Sequence, residues 1–197
     1  SETLDPLPPL VIIVGTCMHA GKTRAACALI REATARGIRV GSAKLTGVAM
    51  RRDSLEMLDH GAEIAITFAD AGVPATCGID ARAVARGCLN AVAAHGVDLI
   101  VAELGDGLLG SYGVSDLLET PDFKAAVGAT VLAATDPVAA WGGISILREY
   151  GLTPVAVTGP ATDNEASIPA NRQSNIPGLN ARTQASALAD AVLRAVL

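Results

Sequence analysis

The segment Gly15-Thr16-Cys17-Met18-His19-Ala20-Gly21-Lys22-Thr23 puts two glycines, a lysine and a hydroxyl residue between an apolar run and a helical pattern. That order suits a chain of phosphates. Glycines let backbone N–H groups converge on phosphate oxygens, and the following helix adds its positive dipole end. Lys22 is placed to reach the terminal phosphates, and Thr23 to give its hydroxyl to Mg²⁺. Gly15, Thr16, His19, Ala20, Gly21 and Arg24 complete the candidate phosphate-binding set, largely through backbone atoms. The expected ligands are ATP and Mg²⁺. The loop is one residue longer between its glycines than G-x-x-x-x-G-K-[ST]. A glycine turn with a chance lysine is the plainer explanation, and the order strand, loop, Gly-Lys-Thr, helix weighs against it.

A Mg²⁺–phosphate site calls for an acidic residue at the end of a neighbouring strand. Asp98-Leu99-Ile100-Val101-Ala102-Glu103 ends in one, so Glu103 is the first metal-side carboxylate, acting directly or through water. Asp106 either shares that role or is a turn aspartate. Lys44 closes a second apolar run. It either binds a substrate oxygen or γ-phosphate, or is an ordinary surface lysine. Asp53 is either a further Mg²⁺ ligand or the N-cap of the next helix. Thr158 and Gly159, at the end of the last strand, are possible further contacts. Lys22, Lys44 and Glu103 are the candidate catalytic residues, and Thr23, Asp53 and Glu103 the candidate metal residues. His19 and Cys17 read as backbone contributors, Asp136 as a helix cap, and Trp141 and Tyr150 as core residues of one amphipathic helix.

These residues need a scaffold that brings strand ends together. Leu10–Val14, Ile38–Ala43, Val97–Ala102, Thr130–Ala134 and Thr153–Thr158 read as strands buried on both faces. Ile64–Phe68 is a short additional strand. Helical spacing covers Lys22–Arg36, a stretch from Asp53 or Ser54 toward His60, Asp80 onward to Gly96, and Asp136–Tyr150. Val114–Val127 reads as helix broken at Pro121, and Ala181–Leu197 as a terminal helix. Residues 105–113 contain four glycines and form a loop. Alternating strands and helices predict a three-layer α/β/α domain with a mostly parallel sheet. Its ligands should sit at the carboxyl ends of the strands. We expect a single nucleotide-binding domain over residues 1–197. Residues 1–9 form a disordered or extended lead, and 161–197 a polar connection, either lid or plain linker, plus the helix.

Composition narrows the function further. A net charge of −5 gives no electrostatic footprint for nucleic acid and disfavours anionic membranes. No apolar run reaches the ~18 residues of a membrane helix. The acidic, proline-rich start is unlike a signal peptide. The four cysteines, Cys17, Cys27, Cys77 and Cys88, have neither zinc nor CxxC spacing, which predicts free thiols in a reducing cytoplasm.

Gly15-Thr-x-x-x-x-Gly21-Lys22-Thr23, followed by Glu103-Leu-Gly105-Asp-Gly107-Leu-Leu109, resembles dethiobiotin synthetase and the related amide ligases of the P-loop NTPases. The resemblance implies that Lys44 handles a substrate carbamate and that Asp53 is near an additional Mg²⁺ aspartate. Where that family reads adenine with an asparagine, this chain has Val157-Thr158-Gly159-Pro160. A longer similarity, over roughly residues 11–159, includes Val40-Gly-Ser-Ala-Lys-Leu-Thr-Gly47 and Phe68-Ala-Asp-Ala-Gly-Val-Pro74. It is to the P-loop domain of a largely uncharacterised family, some of whose members are D-glutamate N-acetyltransferases. The expected function is a Mg²⁺-dependent, ATP-binding enzyme, synthetase-like. It would activate a small carboxylate or carbamate by phosphoryl transfer for amide or ring formation. An acyl-CoA-dependent N-acyltransferase, whose loop holds the CoA phosphates, and a nucleotide-dependent regulatory ATPase are the alternatives. The expected partners are the nucleotide, a small-molecule acceptor and, by resemblance, a second copy in a homodimer.

Overall fold

A computed structural model describes residues 1–163 and 175–197. Leu10–Val14 are completely shielded from water, and burying each such side chain stabilises the fold by about 1.5–3 kcal/mol. A strand so apolar on both faces must lie inside a sheet with helices above and below. It does. Six strands form one sheet in the order β3-β2-β4-β1-β5-β6, every pairing parallel. They are β1 (Leu10–Gly15), β2 (Val40–Thr46), β3 (Ile64–Thr67), β4 (Leu99–Leu104), β5 (Val127–Ala133) and β6 (Ala156–Thr158). The chain has the three-layer α/β/α architecture of the P-loop NTPase fold.

The helices are α1 (Lys22–Thr34), α2 (Arg51–Asp59), α3 (Ala81–Ala93), α4 (Val114–Glu119), α5 (Pro121–Ala126), α6 (Pro137–Glu149) and α7 (Ala185–Val196). Two cores result. One gathers α3 to α6 against the sheet through Leu89, Leu117, Phe123 and Ile144. The other joins α1, α2 and α7 through Leu29, Met57 and Leu188. Pro121 divides α4 from α5, because proline cannot donate to the preceding turn. Asp136 caps α6, accepting from the N–H groups of Val138 and Ala139, both at 2.9 Å.

Several expectations need correction. Trp141 is 61% exposed rather than core; Ile144 and Leu147 fill the buried face of α6 instead. Asp53 is not an N-cap, since α2 begins two residues earlier with Met50 at the cap. The last strand covers Ala156–Thr158 alone, and α7 starts at Ala185. Residues 1–9 lie along α3: the Ser1 ammonium donates to the Ala83 carbonyl and the Asn90 carboxamide accepts from the Asp5 N–H. Of the connection, 164–174 fall outside the described residues, so the choice between lid and linker falls there too. Pro177 and Leu179 continue along β6 through backbone hydrogen bonds with Val157.

Candidate functional site

The topology puts β1 between β4 and β5, and its chain leaves toward α1 while β2 lies beyond β4. Loops diverge at such a point and open a crevice at the strand ends. Gly15–Gly21 occupies it. Lys22 is 6% exposed, and its amine folds back to donate to the Cys17 carbonyl at 2.9 Å. This curl needs Gly15: a β-carbon there would stand 2.9 Å from the Lys22 Nζ. It would displace the lysine. Gly107 is packed against the other side, where a β-carbon would lie 2.6 Å from the Thr16 carbonyl oxygen. The Leu108 N–H ties the same loop to the Gly15 carbonyl at 2.9 Å.

Lys44 and Glu103 are register partners on β2 and β4. Lys44, Asp53 and Glu103 are 6%, 5% and 3% exposed. Lys44 is hydrogen-bonded to Asp53 as a buried ion pair. Asp53 is thereby the lysine's counter-ion, and direct metal ligation by it would compete with that pair. Burial drives the Glu103 carboxyl well above the usual carboxylate range; Lys44, the adjacent Thr23 hydroxyl and Lys22 pull the other way. Burial likewise lowers the Lys22 amine, against the opposing pull of Glu103 and Asp106. One oxygen of Glu103, Oε2, is buried with no hydrogen-bond partner. An orphaned buried carboxylate oxygen is costly, and a phosphate-bound cation would give it a partner.

A cleft of about 230 Å³ covers this group. Lys22, Thr23, Arg24, Lys44, Asp53, Glu103 and Asp106 all line it, with His19 and Gly21 from the loop. Asp106 sits in a left-handed turn at φ 70. The structure adds Met50, Arg52 and Tyr112, which sequence reasoning missed. No spacing rule singles them out, because loop packing places them. The Thr76 hydroxyl sets that wall, donating to the Tyr112 carbonyl at 2.7 Å and accepting from the Gly47 N–H at 2.9 Å. Lys44 also borders a second cleft, of about 460 Å³, with Arg51, Thr67, Phe68 and Asp70. Among the described residues no three His, Cys, Asp or Glu side chains cluster as a metal site. Mg²⁺ held by one carboxylate, a hydroxyl, water and phosphate needs no such cluster, and Thr23 with Glu103 fits that pattern.

On the far side of the loop, Gly159 lines a smaller cleft with His19, Gly21, Arg24, Asp163 and Asn180. Thr158 is fully buried, and its hydroxyl accepts from the Ala181 N–H at 3.0 Å. That bond makes it a support for the wall. Asn180 is the hub that sequence reasoning missed. It donates to Asp163 at 2.8 Å and accepts from the N–H groups of Arg182 and Thr183. An asparagine whose side chain accepts from the backbone N–H two residues on forms an Asx turn, the one available signal. Cys27 and Cys88 are buried, with thiols pushed up to about 12 and about 11; both stay protonated and take no part.

No family model matches the chain, and no curated protein matches it. Solved structures do. The 54 kDa signal recognition particle protein of Aeropyrum pernix, in complex with GDP, is 17% identical with a TM-score of 0.58, covering 100% of this chain and 48% of its own. The signal recognition particle receptor FtsY of Elizabethkingia anophelis, also with GDP, is 14% identical at 0.58, covering 98% and 66%. FtsY of Thermotoga maritima is 17% identical at 0.57, covering 96% and 70%. The chain thus spans from half to about two thirds of these proteins. The likeness is of fold.

Proposed function

We propose that this chain is a nucleoside triphosphate-dependent enzyme that activates a small carboxylate or carbamate by phosphoryl transfer. The observation that carries this reading is the place of Lys44. It is a buried cation between the cleft over the phosphate loop and a second cleft with room for an acceptor. That place suits a cation that orients an acceptor against the γ-phosphate. In the proposed step an acceptor oxygen attacks the γ-phosphorus, the bond to the β,γ-bridging oxygen breaks, and the diphosphate leaves. Lys22 neutralises charge on the terminal phosphates, and Lys44 orients the acceptor and prevents its repulsion by the phosphates. Positioning and electrostatics would supply most of the rate. Mg²⁺, held through Thr23 and Glu103, would supply further neutralisation of the β- and γ-oxygens.

ATP follows from the sequence resemblance, and the GDP-bound fold neighbours make GTP the necessary comparison. The test is phosphate release from ATP and GTP with Mg²⁺ across a panel of small carboxylates and amines. We expect one acceptor to stimulate release and Lys44→Ala to abolish the stimulation while nucleotide still binds. Unchanged stimulation in Lys44→Ala would overturn the reading. Turnover of acetyl-CoA without phosphate release would replace it with acyl transfer.

A further inference from the structure

Arg24, Ala28 and Arg31 follow one another at helical spacing along α1, so one stripe of that helix presents two guanidinium groups around a small residue. Arg182 comes to the same place from the turn before α7, and His60 from the end of α2. Together they line an open cleft of about 250 Å³. Among the described residues Arg24 and Arg182 pair with no carboxylate, and Arg31 touches only Glu32, at 3.4 Å and largely in water. All three residues are exposed, and on a chain of net charge −5 their gathering at one hollow makes a local basic face that an anion would neutralise. The backbone of Arg182 is fixed: its N–H donates to Asn180 at 2.9 Å, and the neighbouring Ala181 N–H donates to buried Thr158.

The hollow is continuous with the phosphate site. Arg24, Ala181 and Arg182 also line the smaller cleft that begins at His19 and Gly21. A nucleotide with its 5′-phosphates on the loop would lay its nucleoside in that smaller cleft and bring its ribose to the arginines. We propose that the Arg24–Arg31–Arg182 face is a second anion subsite, for a phosphate carried on the ribose of the bound nucleotide. Guanidinium forks match phosphate oxygens in pairs.

The inference rests on the phosphate-loop reading, and its test separates the two. Binding is measured by titration for two ligand pairs: coenzyme A against dephospho-coenzyme A, and guanosine 3′,5′-bis(diphosphate) against GDP. Two pairs keep the result independent of the base. The 3′-phosphorylated member of the accepted pair should bind about tenfold more tightly. The gap should close in Arg31→Ala/Arg182→Ala, and partly reopen in Arg31→Lys/Arg182→Lys. Arg31→Ala alone should leave ADP or GDP affinity unchanged, since Arg31 lies outside the smaller cleft. ADP or GDP binding with no preference for the 3′-phosphate overturns the subsite and leaves the loop standing. A preference that survives in the double alanine variant also overturns it. Failure of every nucleotide, in wild type, overturns the loop reading and the subsite together.

Discussion

β2 and β4 lie side by side and carry opposite charges at both ends of the pair. At the amino end Arg39 grips Asp98 through two parallel bonds, at 2.7 and 3.1 Å, with both side chains about half exposed. At the carboxyl end Lys44 stands in register with Glu103, both nearly sealed from water. Each amino-end partner reinforces the other's charge: the guanidinium lowers the Asp98 carboxyl, and the carboxylate raises Arg39. At the carboxyl end burial works against the charge on Glu103 and leaves Oε2 without a partner. The same strands and similar charge types thus give a settled pair at one end and an unsettled group at the other. Perturbed groups of this kind, gathered in a cleft, mark where a ligand completes the electrostatics.

The largest effect is expected at the unsettled end. Lys22→Met keeps the aliphatic stem and removes the amine. Nucleotide turnover should fall about 10²–10³-fold, as when one preorganised charge donor is lost. The free protein should meanwhile melt higher. Burial puts the folded amine below its ordinary 10.5. Between the folded value and 10.5 the unfolded chain holds the proton that the folded chain has lost, so stability rises with pH across that window. Below it the charged amine is a standing cost, and the variant is free of it. Full turnover in Lys22→Met would sink the assignment of the loop.

Next comes the buried pair. Asp53→Ala leaves the Lys44 ammonium without its partner in a nearly dry place, which costs about 3–5 kcal/mol. Urea unfolding measures it. Lys44→Met/Asp53→Leu should recover most of the loss, because two apolar side chains of similar volume leave nothing unpaired. A cost below about 1 kcal/mol for Asp53→Ala would mean that water reaches the pair. Glu103→Gln gives a smaller, pH-dependent difference. The folded carboxyl lies above its ordinary 4.5. The folded chain therefore binds the proton more tightly, and wild-type stability is lost as pH rises from 4.5 through the folded value. Against the wild type, the glutamine variant should gain over that window at about 1.4 kcal/mol per unit of displacement. Parallel stability curves from pH 4 to pH 8 would show that Glu103 is not strained.

The loop and its strand were readable because both signals are local. Five successive apolar residues state that β1 is buried on both faces, and Gly-Lys-Thr at its end marks a glycine turn into a helix. Glu103 was readable for the same reason, as a charge ending an apolar run. Asp53 was ambiguous, since an acidic residue near a helix start caps helices or binds cations equally well. Its partner Lys44, nine residues away, comes to it only when β2 and α2 fold together. Trp141 was misplaced because periodicity gives the apolar stripe of a helix but not how far the stripe is covered. The Arg24–Arg31–Arg182 face is the extreme case. Two of its arginines are helical neighbours, and the third comes from a turn about 150 residues later, fixed by the Thr158 and Asn180 hydrogen bonds. No window of sequence contains that face.

The smallest effect belongs to the settled end, and it sharpens the contrast. Arg39→Ala removes a fork with better geometry than anything at the site. Yet both partners are half in water, where the charges it leaves are readily rehydrated. The melting temperature should move by no more than about 1–2 °C. That difference should shrink further in 1 M salt, where screening falls to about 3 Å. Nucleotide binding should not change, because the pair lies at the opposite end of the strands from the loop. The buried Lys44–Asp53 pair should keep most of its contribution in the same salt, since ions do not enter it. If both pairs responded equally to salt, burial would not be what separates the two ends of β2 and β4.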